Sequence, residues 1–170
     1  MLKKNINEYK LNAFNEIGNK WPILIAGDAK NGYNGMTVSW GGIGVIWGKN
    51  VAYVFVRESR YTYEFIEKSD SVTLSFLSDD YKDAKALFGS KSGRDLNKFE
   101  ATGLHPCLDV DMSCYYVAEA EYCFKMKKLY SVDLPYESLD QAILDRYYPN
   151  GDMHRMYVCE IKQYLVKEDN

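Results

Sequence analysis

Residues 116–126 read YVAEAEYCFKM. Tyr116, Ala118, Ala120, Tyr122, Phe124 and Met126 occupy one set of alternate positions, and Val117, Glu119, Glu121, Cys123 and Lys125 the other. Successive side chains of a strand point to opposite faces, so this alternation predicts one half-buried strand. Glu119 and Glu121 are expected in solvent on its polar face. Working outward, Trp21 to Ala26, Met36 to Trp40, Val51 to Val56, Val72 to Leu77 and Met156 to Val166 also read as strands. Between Trp21 to Ala26 and Met36 to Trp40 lies Asp28 to Gly35, whose Asn31-Gly32 and Asn34-Gly35 pairs signal a turn.

The helices are short. Leu11, Phe14 and Ile17 are spaced for one that stops at Gly18, and Asp79 to Phe88 forms another with Gly89 just past its end. Asp95 to Ala101 is a third, stopped by Gly103, and Ser138-x-x-Gln141 is a capping-box pattern for a fourth that ends before Pro149. Strands do not alternate with long helices, which argues against a doubly wound parallel sheet. A mainly β, mainly antiparallel barrel with helical excursions fits, as a single domain over residues 1–170.

Composition narrows the function classes. The chain is 46% hydrophobic and 26% charged, as globular proteins are, and holds 15 tyrosines. Tyrosine suits strands and ligand walls, because it buries a ring and keeps a polar tip. A formal net charge of −3 supplies no global drive toward nucleic acid. Cys107, Cys114, Cys123 and Cys159 include no CxxC pair, and His105 and His154 are the only histidines, so the reading is reduced, largely buried thiols and no metal site. The N-terminal lysines precede no apolar h-region, and no run reaches the length of a membrane span, so a cytoplasmic protein with no membrane partner is expected.

Four segments could carry chemistry. Arg57, Ser59, Arg60 and Thr62 lie between a strand and an amphipathic helix bearing Phe65 and Ile66. Helix N-termini leave N–H groups unpaired and carry partial positive charge, so the segment reads as an anion cradle, most naturally for a phosphate on a larger ligand. Residues 34–42, NGMTVSWGG, offer glycines beside a strand, where backbone groups could meet a flat heteroaromatic ring edge-on. Residues 89–95, GSKSGRD, form a small basic loop without P-loop or GxGxxG spacing. His154, in GDMHR, is the one histidine with a claim to proton transfer.

Together, NGMTVSWGG at 34–42, VRESRYTYEFI at 56–66, SGRDLNKFEATGLHP at 92–106 and GDMHRMYVCEI at 151–161 resemble the flavin reductase-like family, especially its flavoredoxin-type branch. That resemblance implies a split antiparallel (Greek-key) β-barrel that binds FMN. It implies that Thr37, Val38, Ser39 and Trp40 line the isoalloxazine and ribityl portion. Arg57, Ser59, Arg60, Tyr61 and Thr62 would hold the ribityl and phosphate end. Ser92, Gly93 and Arg94 would close the site, with Lys98 nearby. Family members are usually homodimers with the flavin at or near the subunit interface. Close relatives often carry a cysteine where this chain has Phe88, so no thiol stands at that position.

The activity implied is an NAD(P)H-dependent flavin reductase, with hydride passing from nicotinamide to flavin N5 and no side chain required as acid or base. Reduced flavin would then serve an oxygenase or other redox partner. An FMN-binding electron-transfer protein without its own nicotinamide site is the alternative. A nucleotide- or oligonucleotide-binding barrel is a third reading, which the acidic balance disfavours.

Overall fold

The computed structural model describes residues 1–10 and 12–168. The elements are β1 (Leu2–Lys4), α1 (Ala13–Gly18), β2 (Ile23–Asp28), β3 (Gly32–Thr37), β4 (Gly41–Ile46), β5 (Lys49–Arg57), α2 (Tyr61–Lys68), β6 (Ser71–Phe76), α3 (Lys82–Ser90), α4 (Lys98–Thr102), β7 (Pro106–Asp109), β8 (Cys114–Val117), β9 (Tyr122–Asp133), α5 (Gln141–Tyr147) and β10 (His154–Val166). The main sheet is antiparallel in the order β3-β2-β6-β9-β10-β5-β4, and β1 joins the far end of β10. The fold is mainly β, a split antiparallel barrel with short helices inserted, as expected.

Strands β9 and β10 are long and pair along most of their length, with register shifts between Val158 and Cys159 and between Ile161 and Gln163, where bulges bend a strand. Leu24, Val54, Val56, Leu74, Phe124, Met126 and Tyr157 meet inside the barrel as one core. A second cluster, with Ile23, Ile25, Phe88, Phe99, Leu104 and Val117, lies on the outer face of β2. Strand β2 is therefore buried on both faces, which is why it reads as an unbroken apolar run. Burying a large aliphatic or aromatic side chain contributes about 1.5–3 kcal/mol. The second cluster thus fixes α3 and α4, and these helices form one side of the site below.

Several local expectations need correction. Residues 116–126 are not one strand. Val117 ends β8, a bend follows in which Ala120 N–H donates to Val117 O, and β9 begins at Tyr122. The alternation ran through the bend because β8 pairs with β7 in a separate hairpin while β9 pairs with β6 and β10. Glu121 is exposed, but Glu119 is half-buried and accepts from the backbone N–H of His105 at 3.0 Å, with its ring Nδ1 at 2.6 Å. The turn expected over 28–35 is only the link from Asp28 to Gly32, where the Asp28 carboxylate accepts from the N–H groups of Lys30 and Asn31. Gly27 makes that hairpin possible: its φ is +117°, and a Cβ there would meet Gly32 O at 2.1 Å.

Strand β3 ends at Thr37, so Val38 to Trp40 form a crossing to β4. Gly41, Gly42 and Gly44 lie inside β4, and a Cβ on Gly41 would meet Tyr53 O at 2.5 Å. Gly89 is inside α3, whose first turn is preceded by a 3-10 turn at Asp79–Tyr81. Helix α4 starts at Lys98 behind the cap Asn97 and not at Asp95, and Asp140 caps α5 in place of Ser138. Gly103, with φ +67°, does stop α4. In α1, Ile17 is buried but Phe14 is 90% exposed, and Leu11 lies outside the described residues. Among the described residues, no helix is long and apolar enough to cross a membrane.

Candidate functional site

Strand β5 delivers Arg57 to the rim of the barrel, and four residues later, at Tyr61, α2 begins. Arg60 occupies its N-cap with extended backbone, and its side chain makes no capping hydrogen bond. Tyr63 N–H donates to Arg60 O at 2.9 Å, and the N–H groups of Tyr61 and Thr62 are left to a ligand. Behind them, the buried Thr62 Oγ1 accepts from Asn34 Nδ2 at 2.8 Å, which ties α2 to β3. The C-terminal end of α3 and the 90–93 loop close the other side, leaving a cleft of about 400 Å³. Arg57, Ser59, Arg60, Tyr61, Thr62, Ser92, Gly93 and Lys98 all line it.

A second cleft of about 210 Å³ continues from the first, with Met36, Arg57 and Arg60 in both walls. Thr37, Val38, Ser39 and Trp40 form one wall, facing Phe55 and His154. The Thr37 hydroxyl is consumed by Lys85 O at 2.5 Å, so this residue offers the cleft little beyond its backbone. Trp40 packs 4.8 Å from the His154 ring and 5.1 Å from Tyr147. The structure thus brings twelve of the expected contact residues to two joined clefts. Arg94 is the exception. It stands outside both, lining a neighbouring cavity, and donates to Ser59 O at 3.1 Å and Glu64 at 2.6 Å.

The two arginines of the cradle are not equivalent. Arg57 donates to the backbone oxygens of Asp152 and Tyr147, each at 2.9 Å, and sits over the Tyr148 ring. It braces the 147–152 segment. Arg60 is exposed, and among the described residues its guanidinium makes one hydrogen bond, to Gly89 O at 3.1 Å. Of the two, Arg60 is therefore the arginine with donors to spare. Lys98 is buried, and its Nζ donates to Phe88 O at 3.2 Å and Lys91 O at 3.3 Å. Burial first, and the Arg60 charge second, push its pKa down to about 8.

His154 is nearly buried and its Nδ1 lies 2.8 Å from the Tyr148 hydroxyl. Burial, then the Arg57 charge, push its pKa down to about 4. The imidazole is neutral at neutral pH and poorly matched to proton abstraction there.

Sequence reading named the segments that hold Met36, Ser90, Lys91 and Asp152 without singling these residues out, and it gave Phe88 no part in the cleft wall. Asp152 matters most, since its carboxylate accepts from Ser59 Oγ at 2.7 Å. Its position in GDMHR, two residues before His154, was the one available signal. Asn34 was read as a turn residue and as the head of the 34–42 segment, with no contact of its own assigned.

This donor set suits one kind of ligand. Cations, hydroxyls and a helix N-terminus meet an anion at one end. A carboxylate beside them accepts from hydroxyl groups, and the Val38 to Trp40 crossing, with its indole, meets a flat ring at the other end. FMN has these three parts, and the residues present fit it.

Residues 17–170 match the family model described as flavin reductase like domain. Among solved structures, flavoredoxin of Desulfovibrio vulgaris (Miyazaki F) superposes with a TM-score of 0.69 at 21% identity, over 98% of this chain and 78% of that one. Flavoredoxin from Methanosarcina acetivorans gives 0.68 at 17% identity, over 95% and 76%. Nitrilotriacetate monooxygenase component B from Bacillus cereus gives 0.68 at 16%, over 99% and 82%. A search of curated proteins returns no significant match. With its fold, its joined clefts and a family model matched over residues 17–170, the chain belongs to the flavin reductase-like, FMN-binding family.

Proposed function

We propose that the protein binds FMN in the joined clefts and works as an NAD(P)H-dependent flavin reductase. The carrying observation is that the two clefts share Met36, Arg57 and Arg60, with the cationic and hydroxyl-bearing residues lining one and Val38 to Trp40, Phe55 and His154 lining the other. Bound FMN would supply the hydride-accepting centre. Arg60, the α2 N-terminus, Thr62 and the Ser92-Gly93 loop would hold the phosphate. Asp152 and Ser59 would take the polyol hydroxyls, and Val38 to Trp40 would position the ring. The neutral His154 leaves the ring pocket without a titrating base, in keeping with chemistry that needs none.

The same reading carries a homodimer. Strand β4 is a sheet edge, and Val45 and Trp47 at its turn are 69% and 60% exposed. A second copy would cover this apolar edge.

The test is anaerobic addition of NADH or NADPH to FMN-loaded protein. Bleaching of the flavin band within seconds is expected. A flavin band that persists would instead favour an electron carrier without a nicotinamide site.

Lys98 sets a second prediction. Its ammonium adds to the positive end of the phosphate cleft, so FMN affinity should fall as pH rises through about 8. The stability of ligand-free protein should move the other way. Lys98 titrates near 10.5 when unfolded, so the unfolded state binds more protons between pH 8 and 10.5, and this group's contribution to stability rises there. Calorimetric titration from pH 6.5 to 9.5, with Lys98→Met as control, separates the two. An affinity that does not change with pH in the wild type would remove Lys98 from the site.

A further inference from the structure

His154 opens β10 and lines the ring cleft, yet the chemistry proposed above asks no base of it. Its surroundings give the imidazole another task. The Trp40 ring lies 4.8 Å away at 42°, and the Tyr148 ring 5.6 Å away at 81°. The Tyr148 hydroxyl is 2.8 Å from Nδ1. Tyr148 is 3% exposed at the C-cap of α5, where its N–H donates to Leu144 O at 2.8 Å. The chain then turns back toward His154, with Gly151 N–H donating to Tyr148 O at 3.0 Å. Arg57 braces both ends of this turn through Tyr147 O and Asp152 O, and its guanidinium lies 5.2 Å from the Tyr148 ring centroid.

This arrangement decides which ring nitrogen carries the proton. A neutral imidazole has one N–H and one bare nitrogen, and the partner of one nitrogen sets the state of the other. Among the described residues, Nδ1 is the only hydrogen-bond partner of the Tyr148 hydroxyl. If Nδ1 carried the proton and donated it, the hydroxyl proton would be buried with no acceptor, which is unfavourable. If the hydroxyl donates to a bare Nδ1, both groups are satisfied, and the imidazole proton sits on Nε2. That nitrogen is not sealed in the core: among the described residues, the one buried side-chain nitrogen or oxygen without a partner is Tyr9 Oη. Nε2 is open to the cleft whose wall His154 forms.

We propose that Tyr148 is a positioning residue: it holds His154 as the Nε2–H tautomer, so that the ring cleft presents a neutral N–H donor that favours reduced over oxidised FMN. The proposal rests on the FMN reading above and adds a residue that lines neither cleft. Reduction places negative charge on the flavin ring, and a preorganised donor stabilises charge that develops beside it. A hydrogen bond to a charged group shifts an equilibrium by roughly tenfold or more.

The test begins with ligand-free protein. Nitrogen NMR of the histidine rings, with His105→Gln to identify the His154 signals, should show a bare Nδ1 and a protonated Nε2 at neutral pH. A proton on Nδ1 would overturn the proposal. The second measurement is the midpoint potential of bound FMN. Tyr148→Phe keeps the ring under Arg57 and should lower the potential by about 30 mV, a tenfold loss of preference for reduced FMN in a two-electron couple. His154→Phe removes the donor itself, should lower the potential at least as far, and decides the matter if Tyr148→Phe fails to fold. Tyr157→Phe removes another buried tyrosine hydroxyl, one bonded to Glu67 outside both clefts, and should leave the potential unchanged. Equal shifts in Tyr148→Phe and Tyr157→Phe, or an unchanged potential in Tyr148→Phe or His154→Phe, would overturn the proposal and leave the FMN reading standing. If FMN fails to bind the wild type, the FMN reading falls and the redox role with it.

Discussion

Arg60→Ala should weaken FMN binding by about 10–100-fold, the equivalent of one lost charge-assisted hydrogen bond of about 1.5–3 kcal/mol. The arginine is exposed, makes one bond to Gly89 O, and caps nothing with its side chain. Its removal should therefore change the stability of ligand-free protein by no more than about 0.5 kcal/mol, as for an ordinary surface residue. Arg57→Ala should behave differently. It frees the backbone oxygens of Tyr147 and Asp152 and loosens the whole 147–152 segment, so affinity and melting temperature should fall together. Titration and melting of the two variants side by side check this. Equal thermal loss in both would mean that Arg60 is a structural brace and not the anion ligand.

The largest stability effect is expected at Asp109. Its carboxylate pairs with Lys125, and the two side chains are only 13% and 5% exposed. Lys125 also lies 4.5 Å from the Tyr116 ring centroid. Removing one partner of a buried pair leaves an uncompensated charge and costs about 3–5 kcal/mol. Asp109→Ala should therefore destabilise the fold by that amount, because the pair ties the β7–β8 hairpin to β9. At roughly 2–4 °C per kcal/mol for a chain of this size, the melting temperature should drop by about 6–20 °C. Replacing both residues, Asp109→Leu with Lys125→Met, should cost less than the single change.

Acid should act through the same pair. Burial is the largest single influence and would raise the Asp109 pKa, but the hydrogen bonds from Lys125 and from the Met112 and Asp111 N–H groups, with the Lys125 charge, together outweigh it and hold the carboxyl below its ordinary value. Its contribution to stability is thus present above about pH 4 and lost as pH falls through the lower folded value. A loss of less than about 1 kcal/mol in Asp109→Ala would contradict the estimate for a buried pair. FMN affinity per folded molecule should not change, because Asp109 lines neither cleft.

The β5–α2 junction was legible in the sequence because its signals are local. A strand-like run, a basic pair, two hydroxyls and an amphipathic helix follow one another from Val51 to Ile66. What the cations do was not legible. Arg57 and Arg60 look alike in sequence, and only the return of the chain at Tyr147 and Asp152 consumes one of them. Lys98 was placed near the site only through the family resemblance, and its burial, which depends on α3 packing across it, has no local signal. Residues 116–126 misled for a related reason. Alternation persists through a bend when both flanking segments are strands, and nothing local reveals that they belong to different sheets. Asp152 was missed because a carboxylate in a loop has no pattern of its own.

The central claim is that the two clefts form one site whose affinity is anchored by a phosphate. Paired titration of FMN and riboflavin, which differ by that phosphate alone, tests it most directly. The account predicts one FMN per chain, with riboflavin bound at least a hundredfold more weakly and Arg60→Ala erasing most of the difference. Equal affinities for FMN and riboflavin, or no binding of either, would contradict it.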